Sequence, residues 1–239
     1  MGYLYETHMH TSEGSACGRF SGAQQARRYK ELGYTGIIIT DHFFNGNCAV
    51  DRSLPWEEMA RRFCLGYEHA REEGEKIGLD VFFGWEAAYR GTEFLIYGLD
   101  KDWLIAHPEV MTWSIEEEFR YVDAAGGLVV QAHPFREASY IPEVRVMPEY
   151  CHALEVYNEG NVGRNPLFNT KALELAVKLE KPMTSGTDAH GGENVYVGIE
   201  SEKKLQGIGD YISMVKSNKG YSLMERRFYD ASQNEKKKD

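Results

Sequence analysis

Five short strand candidates of this chain, most of them apolar, each run directly into residues that bind metals or move protons. Tyr3 to His8 leads into His8-Met9-His10, and Gly36-Ile37-Ile38-Ile39-Thr40 into Asp41-His42. Leu79 to Gly84 delivers Trp85-Glu86, Leu128-Val129-Val130-Gln131-Ala132 delivers His133-Pro134, and Pro182 to Ser185 delivers Gly186-Thr187-Asp188-Ala189-His190. Apolar runs of this length read as strands buried on both faces. In a closed parallel barrel the C-terminal ends of all strands open on one face, where that architecture builds its active sites. Histidines with separate structural roles have no reason to select the same end of five strands.

Helical patterns separate the runs. Ser21 is a good N-cap, and Ala23, Ala26, Tyr29 and Leu32 recur at helical spacing until Gly33. A long helix is expected from Trp56 to Lys76 behind Pro55, and Ser114 with Glu117 forms a capping box for a helix ending near Ala125-Gly126-Gly127. Glu93 to Tyr97 and Ala153 to Tyr157 add strands, Pro166 to Leu179 and Gly207 to Ser217 add helices, and Tyr221 to Glu225 is a final strand. The alternation predicts an α/β fold of repeated βα units around a parallel sheet. The length of 239 residues suits a single barrel domain over 1–230, with 231–239 a disordered or frayed tail.

The formal charge of −10 argues against a nucleic-acid partner, which calls for a basic patch or stripe, but leaves room for a small phosphorylated substrate held by metals. Cys17, Cys48, Cys64 and Cys151 show no disulfide spacing, and no run reaches the length of a membrane span. A reduced, cytoplasmic protein away from membranes is expected.

The first and last polar sites are pairs spaced by two, His8 with His10 and Asp188 with His190. In an extended segment that spacing puts both side chains on one face with Cβ atoms about 6 to 7 Å apart, close enough to share an ion at Zn–N distances of about 2.0 to 2.1 Å. Glu86 follows an apolar stretch where an unpaired carboxylate is costly, and its two oxygens suit it to bridge two ions. Isolated histidines carry less weight. His69 in a charged helix and His107 beside Pro108 read as structural, and His152 reads either way.

The ordered set His8-x-His10, Thr40-Asp41-His42, Gly84-x-Glu86, Ala132-His133-Pro134 and Asp188-x-His190 resembles the polymerase and histidinol phosphatase (PHP) family across residues 8 to 190. The resemblance implies a distorted (β/α)7 TIM-like barrel and a metal site of two or three zinc, manganese or iron ions. It implies that His8, His10, Glu86 and Asp188 hold one ion, Glu86 and His133 a second, and His42 with His190 a third. Cys17 falls on a position where many members carry histidine or aspartate, with Glu13 as the alternative. A further family histidine has no counterpart in Glu93-Phe94-Leu95-Ile96-Tyr97, where Leu95 takes its place and Glu93 could substitute.

The implied activity is hydrolysis of a small phosphomonoester by a metal-bound hydroxide, with Asp188 and His190 as catalytic residues and His190 or a bound water assisting the leaving alkoxide. Arg136, Arg19 and Asn158 are the expected substrate-binding residues, with Arg164 a further option. Two readings compete. An amidohydrolase normally adds a bridging lysine at a strand end, and none of these strand ends offers one. A metal-binding accessory module without turnover is disfavoured by the near-complete ligand set.

Overall fold

The computed structural model describes residues 2–192 and 195–228. Strand β2 (Gly36–Ile39) shows why the apolar runs form the sheet. Ile37 and Ile39 pack with Met9, Ala26 and Tyr29 beneath the outer helices, while Ile38 packs with Tyr5, Leu95, Val130 and Ile199 inside the barrel. Alternation buries both faces, so no polar face is needed and β-branched residues fill the strand.

Around β2 the sheet contains β1 (Tyr3–Met9), β3 (Asp80–Tyr89), β4 (Thr92–Tyr97), β5 (Leu128–Gln131), β6 (Ala153–Asn158) and β7 (Met183–Gly186). β8 (Val195–Ser201) and β9 (Tyr221–Phe228) complete the order β7-β6-β5-β4-β3-β2-β1-β8-β9. The N-terminal half of β1 pairs with β8, and its C-terminal end meets the segment after β7 through Asp188 N–H to His8 O (2.9 Å) and His10 N–H to Ala189 O (2.8 Å). β1 to β7 thus curl into a nearly closed, distorted barrel, as the sequence suggested.

Helices α1 (Gly22–Glu31), α2 (Trp56–Phe63), α3 (Leu65–Ile77), α4 (Lys101–Ala106), α5 (Ile115–Ala124), α6 (Glu159–Val162), α7 (Leu167–Lys178) and α8 (Ile208–Ser217) fill the connections. Ser21 and Ser114 make the capping boxes of α1 and α5. No helix among the described residues is long and apolar enough to cross a membrane.

Three expectations need correction. The sheet is not wholly parallel, because β4 pairs antiparallel with both β3 and β5. The β3–β4 link is only Arg90-Gly91, both at positive φ (53° and 87°), the geometry of a two-residue hairpin turn and far too short for a crossover helix. β3 also runs on to Tyr89, so Glu86 lies inside a strand rather than at its end. Finally, the single helix expected over Trp56 to Lys76 is two, α2 and α3, which meet at Cys64. Past that break the backbone of α3 presses on α1 so closely that a Cβ on Gly22 would lie 1.9 Å from Gly66 O. α4 and β8 carry no clear sequence signal, and the expected tail 231–239 lies outside the described residues.

One buried acid far from the strand ends makes stability depend on pH. Glu118 of α5 is 2 % exposed and accepts from Tyr89 Oη at 2.9 Å. Burial pushes its carboxyl from 4.5 up to about 8, the tyrosine bond offsetting only part of the shift. Between those values the folded protein binds more protons than the unfolded chain, so this group's contribution falls as pH rises through the window. Calorimetric melting of Glu118→Gln beside the parent, at equal metal content, should show the variant's relative stability rising from pH 5 to 8 and levelling above. A difference that ignores pH would refute the assignment.

Candidate metal centre

His8 and His10 leave β1 on one face, and each ring is fixed by a hydrogen bond at Nδ1. His8 Nδ1 lies 2.9 Å from Glu155 Oε1, a carboxylate that can only accept, so Nδ1 is the donor and Nε2 is the nitrogen that faces Glu86. His10 Nδ1 meets Ser15 Oγ at 3.1 Å. The Ser15 hydroxyl donates its one proton to Asp41 Oδ1 at 2.7 Å and must accept from His10, which again frees Nε2. His190 does the same with Nδ1 on the Asp188 carbonyl at 2.8 Å.

The freed atoms converge. His10 Nε2 is 3.1 Å from Asp188 Oδ1 and 3.6 Å from Glu86 Oε2, and His8 Nε2 is 3.3 Å from Glu86 Oε1. His133 Nε2 is 3.1 Å from Glu86 Oε1 and 3.5 Å from Glu93 Oε2. His42 Nδ1 stands 2.7 Å from Glu86 Oε2. His42 Nδ1, Glu86 Oε2 and His8 Nε2 are nevertheless all buried without a hydrogen bond of acceptable geometry. Buried polar atoms left this way are costly, and a cation shared among them removes the cost.

Four overlapping groups have ligand atoms within 4.8 Å of one another: His8, His10 and Asp188; His8, Glu86 and His133; His10, His42 and His190; and His42, Glu86 and Glu93. These groups bring together seven of the eight expected ligands, and the eighth, Cys17, has Sγ 3.1 Å from His190 Nε2. Glu93 joins them because β4 runs backwards and begins where β3 ends. Glu13 does not: it accepts from Gly22 N–H and pairs with His69 Nδ1 at 2.9 Å outside the cluster.

The electrostatics suit metal ligation. Burial opposes charge on Glu86, but His8 and His42 outweigh it and hold the carboxyl well below its usual range. Asp188 is held down in the same way by Arg136 and His8. Burial and then His42 push His10 down to about 3, so this imidazole is neutral, the form that binds metals. Burial raises the Cys17 thiol, yet His190 and His42 bring it to about 6. His133 (φ 28°) and Asp188 (φ 57°) sit at left-handed backbone positions that disfavour side chains, a strain that gathers at functional sites.

The substrate-binding expectations fare unevenly. Arg136 is buried and donates to Asp188 Oδ2 (2.7 Å), Asn158 Oδ1 (2.6 Å) and Asn161 Oδ1 (2.8 Å), so it fixes the Asp188 carboxylate. Asn158 is fully buried, its amide shared between Arg136 and Glu155, and lies beneath the cleft rather than on its wall. Arg19 lines a cavity of about 790 Å³ with Cys17, Arg164, Asp188 and His190. A second cavity of about 640 Å³ lies over His42, Glu86, Glu93 and His133. His152 is structural, accepting from Val129 N–H and pairing with Asp123, and His107 bonds the Trp103 carbonyl.

Sequence reasoning missed Glu155 as a functional residue. It orients His8 with one oxygen and takes His133 N–H and Asn158 Nδ2 on the other, both at 2.9 Å. Its signal was an acid inside the apolar strand Ala153-Leu154-Glu155-Val156. Glu6 was missed in the same way. It accepts from the backbone of Thr7, His8 and Thr187, tying β1 to the last site loop.

Neither protein-family models nor curated proteins give a match to this chain. Solved structures do. A two-domain protein from Bacteroides vulgatus containing a predicted PHP-like metal-dependent phosphoesterase superposes with TM-score 0.68 at 16 % identity over 95 % of this chain. The fold is PHP-like. This chain spans 65 % of that protein's length. A protein from Bifidobacterium adolescentis, provisionally named a metal-dependent phosphoesterase, matches with TM-score 0.55 at 17 % identity, over 98 % of this chain and 95 % of that one. An amidohydrolase from Chromobacterium violaceum, solved with sulfate and no metal, matches with TM-score 0.56 at 14 % identity, over 97 % of this chain and all of its own.

Because Glu155 fixes the His8 ring, Glu155→Gln should lower zinc affinity by about 10- to 100-fold in a chelator competition titration while leaving the far-ultraviolet circular dichroism intact. Unchanged affinity would remove Glu155 from the site.

Proposed function

We propose that this protein is a metal-dependent phosphoesterase acting on a small phosphorylated substrate. The reading is carried by the converging buried nitrogen and oxygen atoms around Glu86 that have no hydrogen-bond partner. His8, His10, Glu86 and Asp188 would hold one divalent ion, Glu86 with His133 and Glu93 a second, and His42 with His190 and Cys17 a third; zinc, manganese and iron all suit these donors. Bound ions of this kind supply Lewis acidity, lowering the pKa of water to about 7 and neutralising charge on phosphoryl oxygens.

The side chains supply the rest. Glu86 presents Oε1 to His8 and His133 and Oε2 to His10 and His42, the disposition of a bridging carboxylate. Arg136 keeps Asp188 ionised and aimed inward. His190, with 27 % side-chain exposure, lines both cavities; with only two ions bound its Nε2 would be free of metal and could pass a proton to the leaving alkoxide. The names of two structural neighbours favour phosphate esters, and that of the third favours amides. No lysine lines either cavity among the described residues, which speaks against the bridging lysine usual in amidohydrolases.

Chelator-treated protein should lose hydrolysis of p-nitrophenyl phosphate, and added zinc, manganese or iron should restore it. A His10→Ala plus Asp188→Ala variant should lose at least about 1,000-fold in kcat/KM, since it removes ligands rather than a proton donor alone. Full activity in either preparation would rule the proposal out, and faster turnover of a matched amide would favour the amidohydrolase reading.

A further inference from the structure

Two exposed arginines at the cleft have no ion-pair partner among the described residues. Arg90, on the β3–β4 turn, and Arg164, just past α6, both line the cavity of about 640 Å³ above His42, Glu86, Glu93 and His133. Arg164 also borders the cavity of about 790 Å³, beside Asp188 and His190. Several other arginines face acids, as Arg27 does Glu73, Arg61 Glu57, Arg62 Glu58 and the buried Arg136 Asp188, while Arg52 and Arg145 are taken up by backbone carbonyls and Arg120 by the Tyr121 ring. Among the described residues no carboxylate lies within ion-pair range of Arg90 or Arg164. The chain carries 37 acidic side chains against 27 lysines and arginines, so acids were available on most surfaces. Two guanidinium groups without ion-pair partners on the rim of one cavity, above the carboxylates Glu86, Glu93 and Asp188, are an anion-binding arrangement.

The two are not equivalent. Arg164 stands at the Asp188–His190 edge of the cluster. Arg90 is four residues beyond Glu86 on the same hairpin, about 13 Å of extended backbone. We propose that the substrate carries two anionic groups: the scissile phosphoryl group, met by Arg164, and a second phosphate or carboxylate, held by Arg90 across a sugar-sized spacer. The cavity volume suits a ligand of that size. This rests on the phosphoesterase reading and adds the substrate class to it.

Titration calorimetry on zinc-loaded protein tests the proposal, because it reads affinity whether or not turnover follows. Fructose 1,6-bisphosphate against fructose 6-phosphate probes a second phosphate, and 3-phosphoglycerate against glycerol 3-phosphate probes a second carboxylate. In one of these pairs the two-anion member should bind at least about 10-fold tighter, the size expected for one charge-assisted contact. That pair identifies the second group. Arg90→Asn, which suits the positive φ of the turn, should bring the ratio to near 1, and Arg90→Lys should keep most of it. Arg164→Ala should weaken both members and leave the ratio standing. Ratios near 1 for both pairs in the parent protein, or a ratio that Arg90→Asn does not move, would overturn the proposal. Selective binding without hydrolysis would uphold the two-anion site while defeating the phosphoesterase reading.

Discussion

The burial of Glu86 is the constraint on which the remaining structure depends. An ionised carboxylate taken out of water costs several kcal/mol unless opposite charge or hydrogen bonds replace its hydration. Here the replacement is a ring of imidazoles from three separate parts of the chain, His8 with His10, His42 and His133. Three rings of the centre lean on another polar group: His8 on Glu155, His10 on Ser15 and through it Asp41, and His190 on the Asp188 carbonyl. The centre is therefore two polar layers deep, and the outer layer decides which nitrogen of each ring faces inward.

That requirement accounts for the irregularities of the barrel. Reversing β4 brings Glu93 to the same rim as Glu86, where a parallel strand would have left it at the opposite end. Asp188 reaches the cluster only by taking φ 57°, held there by its N–H on the His8 carbonyl and by Arg136 on its carboxylate. Gly186 has no room for a side chain, since a Cβ there would lie 2.5 Å from the Cβ of His8 and 2.8 Å from Glu155 Oε1. Local conformational cost is accepted wherever it delivers a donor atom, a common pattern at functional sites.

What could be read from the sequence divides along the range of the interactions. The polar residues at strand ends were legible because each adjoins its own apolar run, and the starts of α1 and α5 because a capping box spans four residues. The direction of β4 was not, since Arg90-Gly91 lacks the Asn-Gly or Asp-Gly signal of a tight hairpin. Nor was the fate of Arg136. Its place three residues after His133 suggested a substrate contact, but its partner Asp188 is 52 positions away and claims the guanidinium first. Asn158 is likewise held beneath the cleft by Arg136 and Glu155, partners its own position in the sequence does not reveal. Glu155 went unread because a lone acid in a strand does not reveal the ring it faces.

A chain with a formal charge of −10 looks ill suited to an anionic ligand, yet total charge and local field are separate quantities. Many of the acids lie on the outer helices, as Glu57, Glu58, Glu73 and Glu75 do, each beside an arginine. At physiological salt the field of an exposed charge is largely screened beyond about 8 Å, so these surfaces do not govern the cleft. Inside it, Glu86 and Asp188 are already matched by imidazoles and Arg136, and the arginines on the rim add positive charge. Any cation bound among the donors would carry that balance further. The net charge therefore disfavours a long polyanion, which must lie across the outer surface, and leaves the cleft open to a small phosphate ester.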